Sequence, residues 1–178
     1  EVVPLEHRAL VAYLQERGIP AHIAKANCNE AHYSVNDKSY FAVAFENVSG
    51  GWELRNRYFK SCRGRKDISY LSWARDGPSA ECAVFEGFID YLSALTLDII
   101  SGADAIILNS VVNVNKAVPY LKGYTSINCY LDNDTAGRTA LTELTAIYGS
   151  TVIDRSILYS EFNDLNEYLT NQSFTKNT

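Results

Sequence analysis

Two stretches decide the fold: ECAVFEGFIDYLSAL at residues 81–95 and SINCYLDNDTAGRTAL at residues 126–141. Each begins as a short apolar run with β-branched and aromatic members, passes an acidic residue and a glycine, and continues with helical spacing. Between them lie a strand-like AIILN and a helical pattern at VNKAVPYL; after them come TVIDRS and a final helical DLNEYLTNQ. Strands alternating with helices of this length predict βαβ units, hence a parallel sheet of about four strands with right-handed crossovers. In such a sheet ligands bind beyond the carboxyl ends of the strands, so the residues there are the first candidates for chemistry.

Those ends are acidic. Glu86 closes the first strand, and Gly87 after it lets a bulky ligand approach the backbone. Asp132 and Asp134 close the third, two apart, and share a side if strand geometry persists through Asn133. With the first and third strands adjacent, three carboxylates converge and repel unless a cation neutralises them. Oxygen donors without sulfur or imidazole favour Mg2+ or Mn2+, and phosphoryl transfer is the matching reaction. The structural alternative is that Asp134 or Thr135 merely caps the next helix, worth about 1 kcal/mol, and that Glu86 is a lone strand-end acid.

Upstream, Leu5, Ala9, Leu10, Tyr13 and Leu14 fall at helical spacing with Gly18 as the stop, predicting one helix over residues 1–17 and a second around Ile23. AHYSVNDKSYFAVAFENVSGGWELRNRYFK then alternates apolar and polar residues. Asn36-Asp37 and Ser49-Gly50-Gly51 supply turns, predicting a three-stranded antiparallel meander. A boundary is expected at the turn residues Gly77-Pro78. The domains read as a basic α+β subdomain at 1–79, an α/β domain at 80–172 and a flexible tail at 173–178.

Charge divides the same way. Residues 1–80 carry 11 Lys and Arg against 9 Asp and Glu, while residues 81–172 carry 4 against 12. Arg55, Arg57, Lys60, Arg63, Arg65 and Lys66 face a single acid, Glu53, in GWELRNRYFKSCRGRK, with Trp52, Tyr58 and Phe59 interleaved. That composition suits a phosphate backbone and stacked bases; the alternative is a charged strand edge protected from aggregation.

The 178 residues are enough to bury a core without disulfides or metal. Cys28, Cys62, Cys82 and Cys129 form no close ligand pair, so neither a zinc finger nor a secreted disulfide scaffold is expected. Cys28 and His32 sit four apart with no second pair to complete a site. No apolar run reaches the roughly 20 residues that span a bilayer, predicting no membrane segment and a cytoplasmic protein. The lack of Met and the start at Glu1 suggest a piece of a longer protein.

EGFIDYLSAL and LDNDTAG, each at the end of a predicted parallel strand, resemble the two signature motifs of the Toprim domain of DnaG-type primases, topoisomerases and OLD-type nucleases. The resemblance implies a Rossmann-like sheet with Glu86 as general acid/base or metal-poising group and Asp132 and Asp134 as Mg2+ ligands. A third primase-type motif is matched by Asp164, Asn166 and Glu167 in EFNDLNEYL, with Asp164 a further metal-facing carboxylate unless it only caps the last helix. YFAVAFENVSGGWELRNRYFK is similar to the basic subdomain that precedes Toprim in primases. It is more similar still to primase-like proteins of mobilizable and conjugative elements, which often begin with a CHC2-type zinc finger that nothing here supplies. By that likeness Arg55, Asn56, Lys60 and Lys66, within the Arg55, Asn56, Arg57, Lys60, Arg63, Arg65 and Lys66 set, line a groove opposite the acids.

Three functions follow as expectations. The first is primer synthesis on single-stranded DNA from nucleotides, in replication or transfer of a mobile element, with a helicase or other element-encoded proteins as partners. The others are a metal-dependent nuclease and a non-catalytic DNA-binding accessory to excision or mobilization. A topoisomerase is disfavoured, because its nucleophilic tyrosine needs a domain for which this chain has no room.

Overall fold

The computed structural model describes residues 1–73 and 79–175. In chain order its first elements are β1 (Val2–Pro4), α1 (Arg8–Glu16), α2 (Ala21–Asn27), β2 (Asn29–Val35), β3 (Lys38–Glu46), β4 (Trp52–Arg55) and β5 (Lys60–Arg63). The five strands form one antiparallel sheet in sequence order. The meander is therefore present but flanked by two further strands. The helix predicted over 1–17 starts only at Arg8, because Val2, Val3 and Pro4 pair with Ala31, Glu30 and Asn29. Pro4 is tolerated there because an edge strand leaves its missing N–H unneeded. Glu30 Oε2 accepts the backbone N–H groups of Glu6 (2.9 Å) and His7 (2.6 Å), which ties the start of α1 to β2.

The second group is β6 (Ser69–Leu71), β7 (Glu81–Phe85), α3 (Phe88–Thr96), β8 (Asp104–Ile107), α4 (Val114–Ala117), β9 (Ser126–Tyr130), α5 (Thr135–Tyr148), β10 (Val152–Asp154) and α6 (Leu165–Thr175). Their sheet has the order β10-β9-β7-β8-β6. The first four strands run parallel, as the alternation predicts, and β7 and β9 are neighbours. β6, inside the 1–79 stretch, pairs antiparallel with β8. The expected turn at Gly77-Pro78 lies outside the described residues, as do the last three residues of the 173–178 tail, whose first three continue α6. The helix at VNKAVPYL shrinks to one turn before Pro119, which has no N–H to continue the helical hydrogen bonds although Val118 ahead of it keeps helical geometry.

One core runs between the two sheets and joins Leu10, Leu14, Val43 and Phe45 to Phe85, Phe88, Tyr91 and Leu92. Phe45 of β3 lies flat on Phe88 of α3, with ring centroids 5.1 Å apart, and edge-on to Tyr91 at 6.0 Å. This contact fixes how the basic sheet sits against the acidic one. Phe45→Ala is expected to cost about 3–5 kcal/mol of unfolding free energy in a denaturant titration; a loss below about 1 kcal/mol would show that the sheets are held by other contacts.

Candidate active site

The parallel strands end where the sequence places its acids. β7 delivers Glu86, and the loop after β9 delivers Asp132. Glu86, Asp90, Asp132 and Asp164 line one small polar cavity of about 60 Å³ together with Arg17, Arg55, Lys60 and Asn166. Asp90 belongs to the first turn of α3, one helical turn past Glu86, and is buried. The apolar spacing of FIDYLSAL hides it, because a core-facing position on such a helix reads as a packing site; its four-residue interval from Glu86 was the available signal.

Asp132 and Asp134 do not share a strand face. β9 stops at Tyr130, so strand alternation no longer applies beyond it. Asp132 turns to the cavity, while Asp134 is exposed and caps α5, its Oδ1 accepting Gly137 N–H at 2.8 Å. The charge of Asp134 still acts on Glu86 and Asp132. Asp164 does both jobs: it lines the cavity, and its Oδ1 accepts Glu167 N–H at 2.7 Å at the start of α6. Gly137 is required by a close approach, since a Cβ there would stand 2.1 Å from the Asp132 carbonyl oxygen.

Of the predicted basic residues, the structure brings Arg55 and Lys60 to the acids. They are the cross-strand partners that flank the turn of the β4–β5 hairpin. The others go elsewhere. Asn56 caps the hairpin turn, its Oδ1 accepting Tyr58 and Phe59 N–H. Arg57 is ion-paired with Glu16 of α1. Arg63 points to the opposite sheet face, stacked over Tyr33 at 4.6 Å, because side chains alternate along β5. Arg65 and Lys66 follow β5, are exposed, and do not line the cavity. The expected groove wall of Arg55, Asn56, Lys60 and Lys66 thus reduces to Arg55 and Lys60. Arg17, which sequence reasoning missed, joins them from the end of α1, donating to Asn166 Oδ1 at 3.0 Å. That contact spans nearly the whole chain and leaves no local pattern.

Burial first, then mutual repulsion, raises the carboxyl pKa values. Asp132 is pushed up to about 8 by desolvation and by Asp90, Glu86, Asp164 and Asp134. Asp90 is pushed up to about 7 by desolvation and Asp164, against the Asn166 N–H it accepts at 3.2 Å. Glu86 is raised by desolvation and Asp134, opposed by Lys60. Its Oε2 is the one buried side-chain oxygen without a hydrogen-bond partner among the described residues. An all-oxygen donor set, an orphaned carboxylate oxygen and unrelieved negative charge fit a hard divalent cation. Among the described residues, no three His, Cys, Asp or Glu side chains are already gathered into a ligand cluster. The sequence-based convergence of Glu86, Asp132 and Asp134 is therefore not a preformed triad. The four free cysteines are likewise dispersed.

Residues 83–169 match the family model described as Toprim-like. This part of the chain is a Toprim-like domain. Residues 1–64 match a domain of unknown function, DUF8464. No curated protein matches the chain. Among solved structures, the primase fragment of the bacteriophage T7 primase-helicase protein matches at 19% identity and TM-score 0.66, covering 89% of this chain and 69% of that one. A complex of T7 lagging-strand DNA polymerase with primase domains, bound to an RNA/DNA hybrid and dTTP, matches at 16% identity and TM-score 0.54, covering 79% and 76%. The zinc-binding and RNA polymerase domains of the Aquifex aeolicus primase match at 13% identity and TM-score 0.58, covering 95% of this chain and 54% of that one. The Toprim-like domain and the sheet before it therefore share a primase-type fold. No helix among the described residues is long and apolar enough to cross a membrane.

Because the folded-state carboxyl pKa values lie above their unfolded values, their protonation favours the fold below about pH 4, and that contribution is lost as pH rises toward the value of about 8 reached by Asp132. In chelator, the thermal midpoint is expected to fall across that window relative to an Asp132→Asn variant. Millimolar Mg2+ or Mn2+ should raise the wild-type midpoint more at the alkaline end than at the acid end. An ion effect equal at both ends, or equal in the variant, would contradict this reading of the cavity.

Proposed function

We propose that the chain is the catalytic part of a primase-like protein that joins nucleotides on a single-stranded DNA template, in the replication or transfer of a mobile element. The supporting observation is the cavity itself: carboxylates from three separate segments, one with an orphaned oxygen, faced by Arg55 and Lys60 from another sheet. In this reading residues 1–79 grip template and nucleotide, and residues 80–172 carry the chemistry. The similar T7 structures are the primase fragment of a primase-helicase protein and primase domains bound to an RNA/DNA hybrid and dTTP. Single-stranded DNA, nucleotides and a helicase are accordingly the proposed partners, and the cytoplasm the proposed place.

Asp132, Asp90 and Asp164, with Glu86 beside them, would hold Mg2+ or Mn2+, which when bound would supply charge neutralisation for phosphate oxygens and favour loss of the attacking hydroxyl's proton. Arg55 and Lys60 bind and orient the triphosphate through its nonbridging oxygens. Glu86, with a raised proton affinity and a free oxygen, accepts the proton of the attacking 3′ hydroxyl. The hydroxyl oxygen bonds to the α-phosphorus, the bond from that phosphorus to the β-phosphate bridging oxygen breaks, and pyrophosphate leaves. Asp134 keeps the α5 end, and with it the Asp132 loop, in place.

The test is primer synthesis on single-stranded DNA by the full-length protein with Mg2+. Glu86→Gln and Asp132→Ala are expected to lower the rate at least about 100-fold, and Lys60→Ala chiefly to raise the nucleotide KM. Synthesis unchanged in both acid variants would refute the proposal. Strand cleavage without synthesis would establish the nuclease reading, and salt-sensitive DNA binding with neither product would establish the accessory one.

A further inference from the structure

The asparagine of the LDNDTAG motif, Asn133, takes no part in lining the cavity, yet it is the most heavily bonded residue of the loop. Asn133 N–H donates to Asn163 O at 2.7 Å. Its side-chain amide spends both hydrogens on backbone carbonyls of the same distant loop, Tyr159 O at 3.0 Å and Phe162 O at 2.9 Å. Its Oδ1 accepts Arg138 Nη2 at 2.6 Å. Arg138 reaches with Nη1 to Asp154 Oδ2 (3.2 Å) and Ser156 Oγ (3.3 Å) at the end of β10. Tyr159 in turn is buried and donates its hydroxyl to Leu131 O at 2.9 Å, closing the bracket from the other side. Four bonds from two residues thus clasp residues 131–133 to 159–163.

Those two segments carry the acids on either side of the cavity: Asp132 precedes Asn133, and Asp164 follows Asn163. The two carboxylates repel each other, so nothing in their own chemistry keeps the loops together. We propose that Asn133, oriented by Arg138, is a positioning residue that locks the Asp164 loop against the Asp132 loop and so sets the spacing of the divalent-cation site. The inference rests on the metal reading of the cavity given above. Its chemistry is specific to an amide: two N–H donors for two carbonyls and one oxygen acceptor for a guanidinium.

That specificity separates positioning from ligation. Asn133→Asp keeps the acceptor for Arg138 and adds a carboxylate beside Asp132, but it sets oxygens against the Tyr159 and Phe162 carbonyls. A ligand role predicts equal or tighter ion binding; the clasp predicts weaker binding. Mn2+ affinity is read by electron paramagnetic resonance, and amide hydrogen exchange is followed across residues 156–164. Asn133→Asp and Asn133→Ala are both expected to weaken Mn2+ roughly 10-fold or more and to speed exchange in that loop. Asn133→His, which keeps one donor, should fall between them and wild type in both readouts. Wild-type Mn2+ affinity in Asn133→Ala, or tighter binding in Asn133→Asp, overturns the proposal. Wild-type protein that binds no Mn2+ instead overturns the metal reading, while unchanged loop exchange in the variants would overturn the clasp independently.

Discussion

Like charge held in a small, poorly hydrated space is the constraint around which the rest of this molecule is arranged. Burial raises the proton affinity of Asp90, Asp132 and Glu86, and the neighbouring carboxylates, Asp164 among them, raise it further. Such a group of acids is expensive to fold around, and it persists because the surrounding elements allow no easy retreat. Glu86 is carried at the tip of a central strand, Asp90 inside the first turn of a buried helix, and Asp132 in a loop against which Gly137 packs without room for a Cβ.

The antiparallel sheet supplies the opposing charge. Its contribution depends on the β4–β5 hairpin, whose two cross-strand cations reach the cavity while the tip residues between them face elsewhere. The stacking of Phe45 on Phe88 holds that hairpin in register with α3, so aromatic packing and the electrostatics of the cavity are coupled through one helix. The basic stretch is consequently less a uniform patch than two cavity-lining cations among others engaged elsewhere: Arg57 bound to Glu16, Arg63 over Tyr33.

What the sequence disclosed followed from local order. Alternating strand and helix periods gave the parallel sheet, and acids at strand ends gave Glu86 and Asp132, because both signals are written within a few consecutive residues. What it concealed depended on distant partners. Asp90 sits at a core position of an apolar helix pattern. Arg17 lines the cavity from the end of α1, held by Asn166 far along the chain. Strand β1 wears helical spacing because Leu5, just beyond it, is a core residue in either structure. Asp134 shares a face with Asp132 only if the strand persists; β9 ends four residues before it, and the alternative, a cap on α5, is the geometry observed. Of the acids named by the Toprim resemblance, Glu86, Asp132 and Asp164 line the cavity, and of the basic stretch only Arg55 and Lys60 do, because strand alternation sends neighbouring cations to opposite faces.

The central claim is that the cavity of Glu86, Asp90, Asp132 and Asp164 holds a divalent ion opposite Arg55 and Lys60. A crystal soaked in Mn2+ tests it most directly through anomalous diffraction. The account predicts an anomalous peak within the cavity, with Glu86 Oε2 and the Asp132 carboxylate turned toward it. A peak only at surface acids, or a cavity filled by an ion pair of Arg55 or Lys60 with Asp132, would contradict it.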